Sequence, residues 1–146
     1  MRTPASIAGH PIHPMLVPIP IGLWVFSLVC DLIHVGGGVS PAWTTVALYT
    51  MAGGIIGALV AAVFGLIDLL SLPPGPKRTA LIHMTMNLVI VVLYAINFWM
   101  RLDAPQEPGG LVWLSLVSVA LLGISGWLGG KLVYELGVGV QADRTR

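Results

Sequence analysis

Four long apolar stretches dominate the chain, and short polar segments separate them. They cover residues 15–35, 42–70, 79–102 and 111–136. Each is long enough to cross about 30 Å of hydrocarbon, which takes around 20 helical residues. The pattern predicts an all-α fold, in which residues 1–146 form one membrane domain, a four-helix transmembrane bundle with antiparallel neighbours. Because the number of spans is even, both termini are expected on the same side.

The composition is typical of an integral membrane protein. The chain is 56% hydrophobic and only 9% charged, against roughly 25% charged residues in soluble domains. A net charge of +1 gives no basic surface for nucleic acid. The single cysteine, Cys30, lies in the first stretch, which excludes a disulfide or a cysteine-based zinc site within one chain.

The basic residues predict the orientation of the bundle. They concentrate on the side that holds both termini and the middle loop, whereas Arg101 lies opposite, beside Asp103 and Glu107. Cytoplasmic segments of membrane proteins carry the excess of Lys and Arg. We therefore expect a multi-pass protein of the bacterial inner membrane with cytoplasmic termini. The residues on the cytoplasmic side are Arg2, Lys77, Arg78, Lys131, Arg144 and Arg146.

Small residues recur on two of the four spans. Gly53, Gly57, Ala61 and Gly65 follow one another at four-residue spacing in the second span. Such small-xxx-small stripes let helix backbones approach closely. The fourth span carries a second group of small residues, and either group could also mediate an oligomer. The members of this second group are Gly123, Ser125, Gly126, Gly129 and Gly130.

The first span is preceded by the motif Gly-His-Pro-Ile-His-Pro at residues 9–14. A residue before proline is pushed toward extended conformations, so the motif is expected to be extended. In a polyproline II path, which repeats every three residues, His10 and His13 would project from one side. They could then reach one shared site. The alternative is that Pro11 and Pro14 only shape the entry to a helix.

Further polar residues fall at the same predicted depth as these two histidines. Asp68 continues the small stripe of the second span, and His83 and Asn87 are four residues apart on the third. Lys131 and Glu135 form an i,i+4 pair on the fourth. The sequence thus predicts one polar site near the cytoplasmic face. Its candidate members are His10, His13, Asp68, His83, Asn87, Lys131 and Glu135.

A second polar group is predicted near the outer end. Ser27, Asp31 and His34 recur at four and three residues, which places them on one face of the first span. An acid in a span must face protein or water rather than lipid. We expect a structural contact there, with Arg101 of the third span as the partner of Asp31.

Several segments resemble a family of four-span bacterial membrane proteins that carry a GHPxHP motif and have no assigned function. They are GHPIHPMLVPIPIGLWVFSLVCDLI, GLIDLL, RTALIHMTMN and GWLGGKLVYELGVGV, and together they cover nearly the whole chain. The resemblance implies a four-helix membrane domain. Because some relatives are joined to a Rieske-type iron–sulfur domain, it also implies redox work with a redox partner protein. The matching positions are Gly9, His10, Pro11, His13, Pro14, Asp31, Asp68, His83, Asn87, Gly126, Gly129 and Gly130.

Three functions remain open from the sequence. The first is a redox-associated subunit whose histidines hold haem b or a divalent metal, since imidazole is a ligand for both. Haem would take His83 and either His10 or His13 as axial ligands, whereas a divalent metal would take His10, His13, His83 and Asp68. The second is a proton or ion pathway through Asp68 and His83. The third is a structural or assembly subunit without a cofactor. In each case we expect the protein not to be an enzyme on its own.

Overall fold

A computed structural model describes residues 1–103 and 109–140. Within them, a short antiparallel hairpin precedes five helices, of which α1 and α2 form a single span. The four predicted spans are confirmed as helices long and apolar enough to cross a membrane. The elements are β1 (Ser6–Ile7), β2 (His10–Pro11), α1 (Ile12–Leu16), α2 (Pro18–Val35), α3 (Ala42–Ser71), α4 (Pro74–Arg101) and α5 (Leu111–Tyr134).

Different segments of the chain lie at the two ends of the bundle. At one end, which we call the terminal end, the first residues meet the segment after α5, and Gly139 N–H donates to Met1 O at 2.9 Å. The opposite end, where α2 joins α3, is called the loop end. Both described terminal segments therefore lie together, while their cytoplasmic location stays a prediction. Arg144, Arg146 and Glu107, used for that prediction, lie outside the described residues.

The proline motif is only partly extended. His10 lies in β2 and pairs with Ile7 across a turn in which Ala8 and Gly9 have positive φ angles of 50° and 83°. His13 already belongs to α1. The prediction of one extended path for both histidines is therefore wrong beyond β2. Pro14 falls in the first turn of α1, where a missing N–H removes no helical hydrogen bond.

Prolines interrupt the first span at one residue. Val17 separates α1 from α2, and Pro18 is the first residue of α2. The chain remains hydrogen-bonded across the interruption, because Val17 N–H donates to His13 O at 3.2 Å. The break that the prolines predict is thus present, and it sets α1 apart as a short segment that contacts α3.

The small stripe of α3 packs against the first span, as predicted. A Cβ built on Gly53 would lie 3.2 Å from Leu23, and one on Gly57 would lie 3.3 Å from Pro20. The neighbouring Gly54 is tighter still, since its Cβ would lie 2.5 Å from Trp24 Cδ1. Glycine at these positions allows the two helices to touch along their backbones.

The glycines of α5 behave differently. Gly123 and Gly126 are exposed, and a Cβ on either would meet nothing within 4 Å. The prediction that Gly126 lies at a helix contact is therefore wrong. Gly129 does lie at a contact, with His83. A pattern of glycines shows where close approach is possible but not which members of the pattern face a neighbour. Oligomer formation through the exposed glycines stays a prediction.

An apolar layer occupies the middle of the bundle. Trp24 and Tyr94 stack with ring centroids 4.4 Å apart and planes inclined by 5°. Trp24 Nε1–H also donates to Met51 O at 3.3 Å. Ile90 and Leu122 complete this buried cluster. The layer draws on all four spans and separates the polar groups of the terminal end from those of the loop end.

A matched pair of substitutions tests this packing. Gly54→Ala should lower the free energy of unfolding by about 1–3 kcal/mol, because Trp24 cannot move without disturbing its stack and its hydrogen bond. Gly126→Ala should leave it unchanged or raise it by up to about 1 kcal/mol, since alanine favours helix and has open space there. Unfolding in detergent measures both, and an equal response of the two variants would contradict the packing described here.

Candidate functional site

Two histidine rings from different spans meet at the terminal end of the bundle. His13 comes from α1 and His83 from α4. Their ring centroids are 6.3 Å apart, and the ring planes are inclined by 87°. We call these two side chains the imidazole pair. Of the three histidines that the sequence assigned to a cytoplasmic site, the structure brings these two together.

The ring of His13 is held against α3. Its Nδ1 lies 2.8 Å from Ala61 O, and a Cβ on Gly65 would come within 3.0 Å of the same nitrogen. Because Gly65 has no side chain, the imidazole lies directly on the α3 backbone. Ala61 and Gly65, the last two members of the small-residue stripe of α3, therefore form the surface on which this ring packs.

The ring of His83 is held between α4 and α5. Its Nδ1 lies 2.9 Å from Ser125 O, and its Nε2 lies 3.1 Å from Asn87 Nδ2. Ser125 Oγ–H donates to Asn87 Oδ1 at 2.9 Å, which closes a loop of hydrogen bonds. A Cβ on Gly129 would lie 3.3 Å from the His83 ring. As with His13, a glycine of the neighbouring helix makes room for the imidazole.

The partners of each ring identify its protonated nitrogen. A carbonyl oxygen can only accept a hydrogen bond. Nδ1 must therefore donate in both rings, to Ala61 O from His13 and to Ser125 O from His83. In the neutral imidazole, Nε2 then carries the lone pair. In His83 that lone pair accepts from the Asn87 amide.

Other residues predicted for this site have different surroundings. His10 is exposed on β2. Asp68 is buried, and its Oδ1 accepts the N–H of Ala5 at 2.9 Å, so this carboxylate anchors the N-terminal segment. Among the described residues, no three His, Cys, Asp or Glu side chains are grouped so that they could hold a metal ion. The structure thus provides a two-imidazole arrangement rather than a four-ligand one.

The charged residues of α5 lie toward the surface. Lys131 Nζ is 3.7 Å from Glu135 Oε2, as the i,i+4 spacing predicts, and their side chains are 36% and 61% exposed. The same ammonium lies 5.5 Å from the centroid of the Trp127 ring. Exposed pairs of this kind contribute little to stability. Lys131 and Glu135 therefore belong to the surface of the terminal end.

The loop end contains a buried ion pair. Arg101 Nη1–H and Nη2–H donate to Asp31 Oδ1 and Oδ2 at 2.6 and 2.8 Å. Arg101 Nε–H donates to Asn97 Oδ1 at 2.8 Å, and the Asn97 amide donates to Ser115 Oγ at 2.9 Å. The contact predicted between Asp31 and Arg101 is present. His34 is also in this region, and its buried Nδ1 has no hydrogen-bond partner among the described residues.

Sequence reasoning missed the parts of the site that are made of backbone. It assigned Ser125 and Gly129 to helix packing, yet Ser125 supplies both a carbonyl and a hydroxyl to the hydrogen-bonded loop. It did not predict that Gly65 would contact the ring of His13. The only available signal was the presence of glycine and serine at the predicted depth of the histidines. A sequence does not indicate which carbonyl a ring will reach.

Comparison with known proteins identifies a family that the chain matches. A family model described as a predicted membrane protein, DUF2231, matches residues 9–142. No curated protein and no solved structure matches the chain. The matched region includes the imidazole pair, the hydrogen-bonded loop around His83 and the ion pair of the loop end.

The loop-end ion pair gives a test that compares single and double substitutions. Asp31→Leu should lower the free energy of unfolding by about 3–5 kcal/mol, because it leaves the buried Arg101 guanidinium without its counter-charge. Adding Arg101→Met removes that charge and should recover most of the loss. Unfolding in detergent provides the measurement. If the double variant were as unstable as the sum of the two single variants, the pair would not be coupled as described.

Proposed function

The chain belongs to the DUF2231 family of predicted membrane proteins, and we propose that it is a redox-associated membrane subunit that holds haem b between His13 and His83. The observation that carries the proposal is the imidazole pair, two rings from separate spans with centroids 6.3 Å apart. The proposal includes a redox partner protein and a place in the bacterial inner membrane with cytoplasmic termini.

The separation of the rings agrees with two ligands of one metal ion. Metal–imidazole bonds are about 2 Å long. Two imidazoles on opposite sides of one ion therefore have centroids about 6 Å apart, once the distance from nitrogen to ring centre is added. The inclination of 87° is compatible with this arrangement, because metal–nitrogen bonds impose no particular angle between the two ring planes and the Nδ1 hydrogen bonds hold each ring in place.

The hydrogen bonds of the rings also suit ligation. A metal-bound histidine almost always donates its other N–H to a carbonyl or carboxylate, which fixes the ring and raises its basicity. His13 and His83 both donate Nδ1–H to a helix carbonyl, at 2.8 and 2.9 Å. Nε2 is then the nitrogen available to a metal.

The number of protein ligands favours haem over a divalent metal. Two histidines suffice as axial ligands of haem iron, since the porphyrin supplies the remaining donors. When bound, the group supplies one-electron chemistry. The chain itself orients the two imidazoles through the helix carbonyls of Ala61 and Ser125.

One observation favours a second function, a structural or assembly subunit without a cofactor. Asn87 Nδ2 lies 3.1 Å from His83 Nε2, and the loop through Ser125 satisfies every polar atom of that ring. Ligation through Nε2 requires the Asn87 amide to turn away. If it does not, these hydrogen bonds only hold α4 and α5 together. Such interhelical hydrogen bonds contribute about 1–2 kcal/mol each at most.

A proton or ion pathway has less support. Along α4, Ile90 and Tyr94 lie fully buried between the hydrogen bonds of His83 and Asn97, and the Tyr94 hydroxyl has no hydrogen-bond partner among the described residues. A pathway needs a succession of polar groups or water. Across the described residues, the apolar layer interrupts that succession.

Absorption spectroscopy of the purified protein distinguishes the two functions. Protein from cells supplied with iron and a haem precursor should show a Soret band and bind one haem per chain. His13→Ala and His83→Ala should each remove the band, whereas His10→Ala and His34→Ala are matched controls that should keep it. His13→Met should keep the band and raise the reduction potential, because Met in place of His stabilises reduced haem.

The opposite set of results would support the structural function. In that case the folded wild-type protein would carry no haem, even when haem is added. His83→Ala would then lower only the free energy of unfolding, by about 1–2 kcal/mol.

A further inference from the structure

We propose that an open groove between α4 and α5 binds one anionic phospholipid, with an acyl chain in the groove and the phosphate on Lys77 and Arg78. The groove has a volume of about 420 Å³ and is open to the surface of the bundle. The residues that line it are Leu81, Ile82, Thr85, Met86, Val89 and Leu121. This site is separate from the imidazole pair and does not depend on the proposed function.

The lining of the groove suits a hydrocarbon chain. Thr85 is its only polar residue, and Leu81, Ile82 and Val89 are 46–48% exposed on the outer surface of the span. No water is available at this depth to fill a groove in the bundle surface. An empty apolar groove would forfeit dispersion contacts along its walls. A lipid chain that follows α4 restores those contacts.

The basic residues lie at the end of the groove that faces the headgroups. Arg78 is four residues before Ile82 and seven before Thr85, so the three side chains share one face of α4. Lys77 has the same relation to Leu81. Four residues correspond to about 6 Å along a helix. The two cations therefore extend the groove by one turn toward the terminal end.

The N-terminus of α4 makes the electrostatic potential around Lys77 and Arg78 more positive still. The helix begins at Pro74, its first turn contains no acidic residue, and no side chain caps it. Cations in a first turn oppose the helix macrodipole, and an anion there is favourable. Among the described residues, neither Lys77 nor Arg78 forms an ion pair. An anionic phosphate would complement both the two side chains and the helix end.

Surface aromatics place the headgroup region at the same end of the bundle. Trp127 and Tyr134, on the last turns of α5, are 64% and 90% exposed. Such residues gather at the boundary between hydrocarbon and headgroups. Leu132 shares a buried cluster with Ala80, so a lipid phosphate at the level of Tyr134 would lie beside the N-terminal turn of α4.

Native mass spectrometry of delipidated protein in detergent tests the proposal, with phosphatidylglycerol and phosphatidylcholine of identical acyl chains as probes. Wild-type protein should bind one phosphatidylglycerol at least about tenfold more tightly than phosphatidylcholine, as expected for two cations at an anionic headgroup. The double substitution Lys77→Gln/Arg78→Gln should abolish this preference. Lys131→Gln is the matched control, because Lys131 is paired with Glu135 and Trp127, and it should keep the preference.

A second variant examines the groove itself. Thr85→Trp fills the space and should weaken binding of both lipids, while its circular dichroism stays that of the wild type. Equal affinity of wild-type protein for the two lipids would overturn the proposal, as would a preference that survives the double substitution. A dimer that forms in the absence of lipid and is lost in Thr85→Trp would also overturn it, because a second copy would then occupy the groove.

Discussion

The hydrocarbon core of a bilayer offers no hydrogen-bond partners, so most polar groups within the spans pair inside the bundle. Among the described residues, His34 Nδ1 and the Tyr94 hydroxyl are buried without such a partner. This constraint accounts for the two polar clusters of the protein. At the loop end, Asp31 and Arg101 neutralise each other, and Asn97 satisfies the remaining Nε–H. At the terminal end, the Nδ1–H groups of His13 and His83 are satisfied by backbone carbonyls.

Close helix packing is what makes the terminal cluster possible. A ring can reach a carbonyl of another helix only where that helix presents no side chain in between. Gly65 provides this opening for His13, and Gly129 provides it for His83. Gly65 belongs to the same stripe of α3 as Gly53 and Gly57, which let the first span pack closely. The packing of the spans therefore cannot be separated from the geometry of the candidate site.

The sequence predicts what depends on spacing along one helix or on the cost of burying charge. The four spans, the α3 stripe and the contact between Asp31 and Arg101 follow from those two considerations and are present in the structure. It fails where the outcome depends on how helices are rotated against each other. Gly126 fits the same pattern as Gly129 yet faces outward. Asp68 pairs with the N–H of Ala5, a contact across 63 residues that no local pattern encodes.

The proposed function depends on one haem being held between His13 and His83. Electron paramagnetic resonance of the oxidised protein at low temperature tests it most directly, because the signal of low-spin haem depends on the angle between its axial imidazoles. Planes inclined by 87° predict a strongly anisotropic low-spin signal with a large maximum g value. A rhombic signal typical of parallel imidazoles, or no low-spin haem signal in protein supplied with haem, would contradict the proposal.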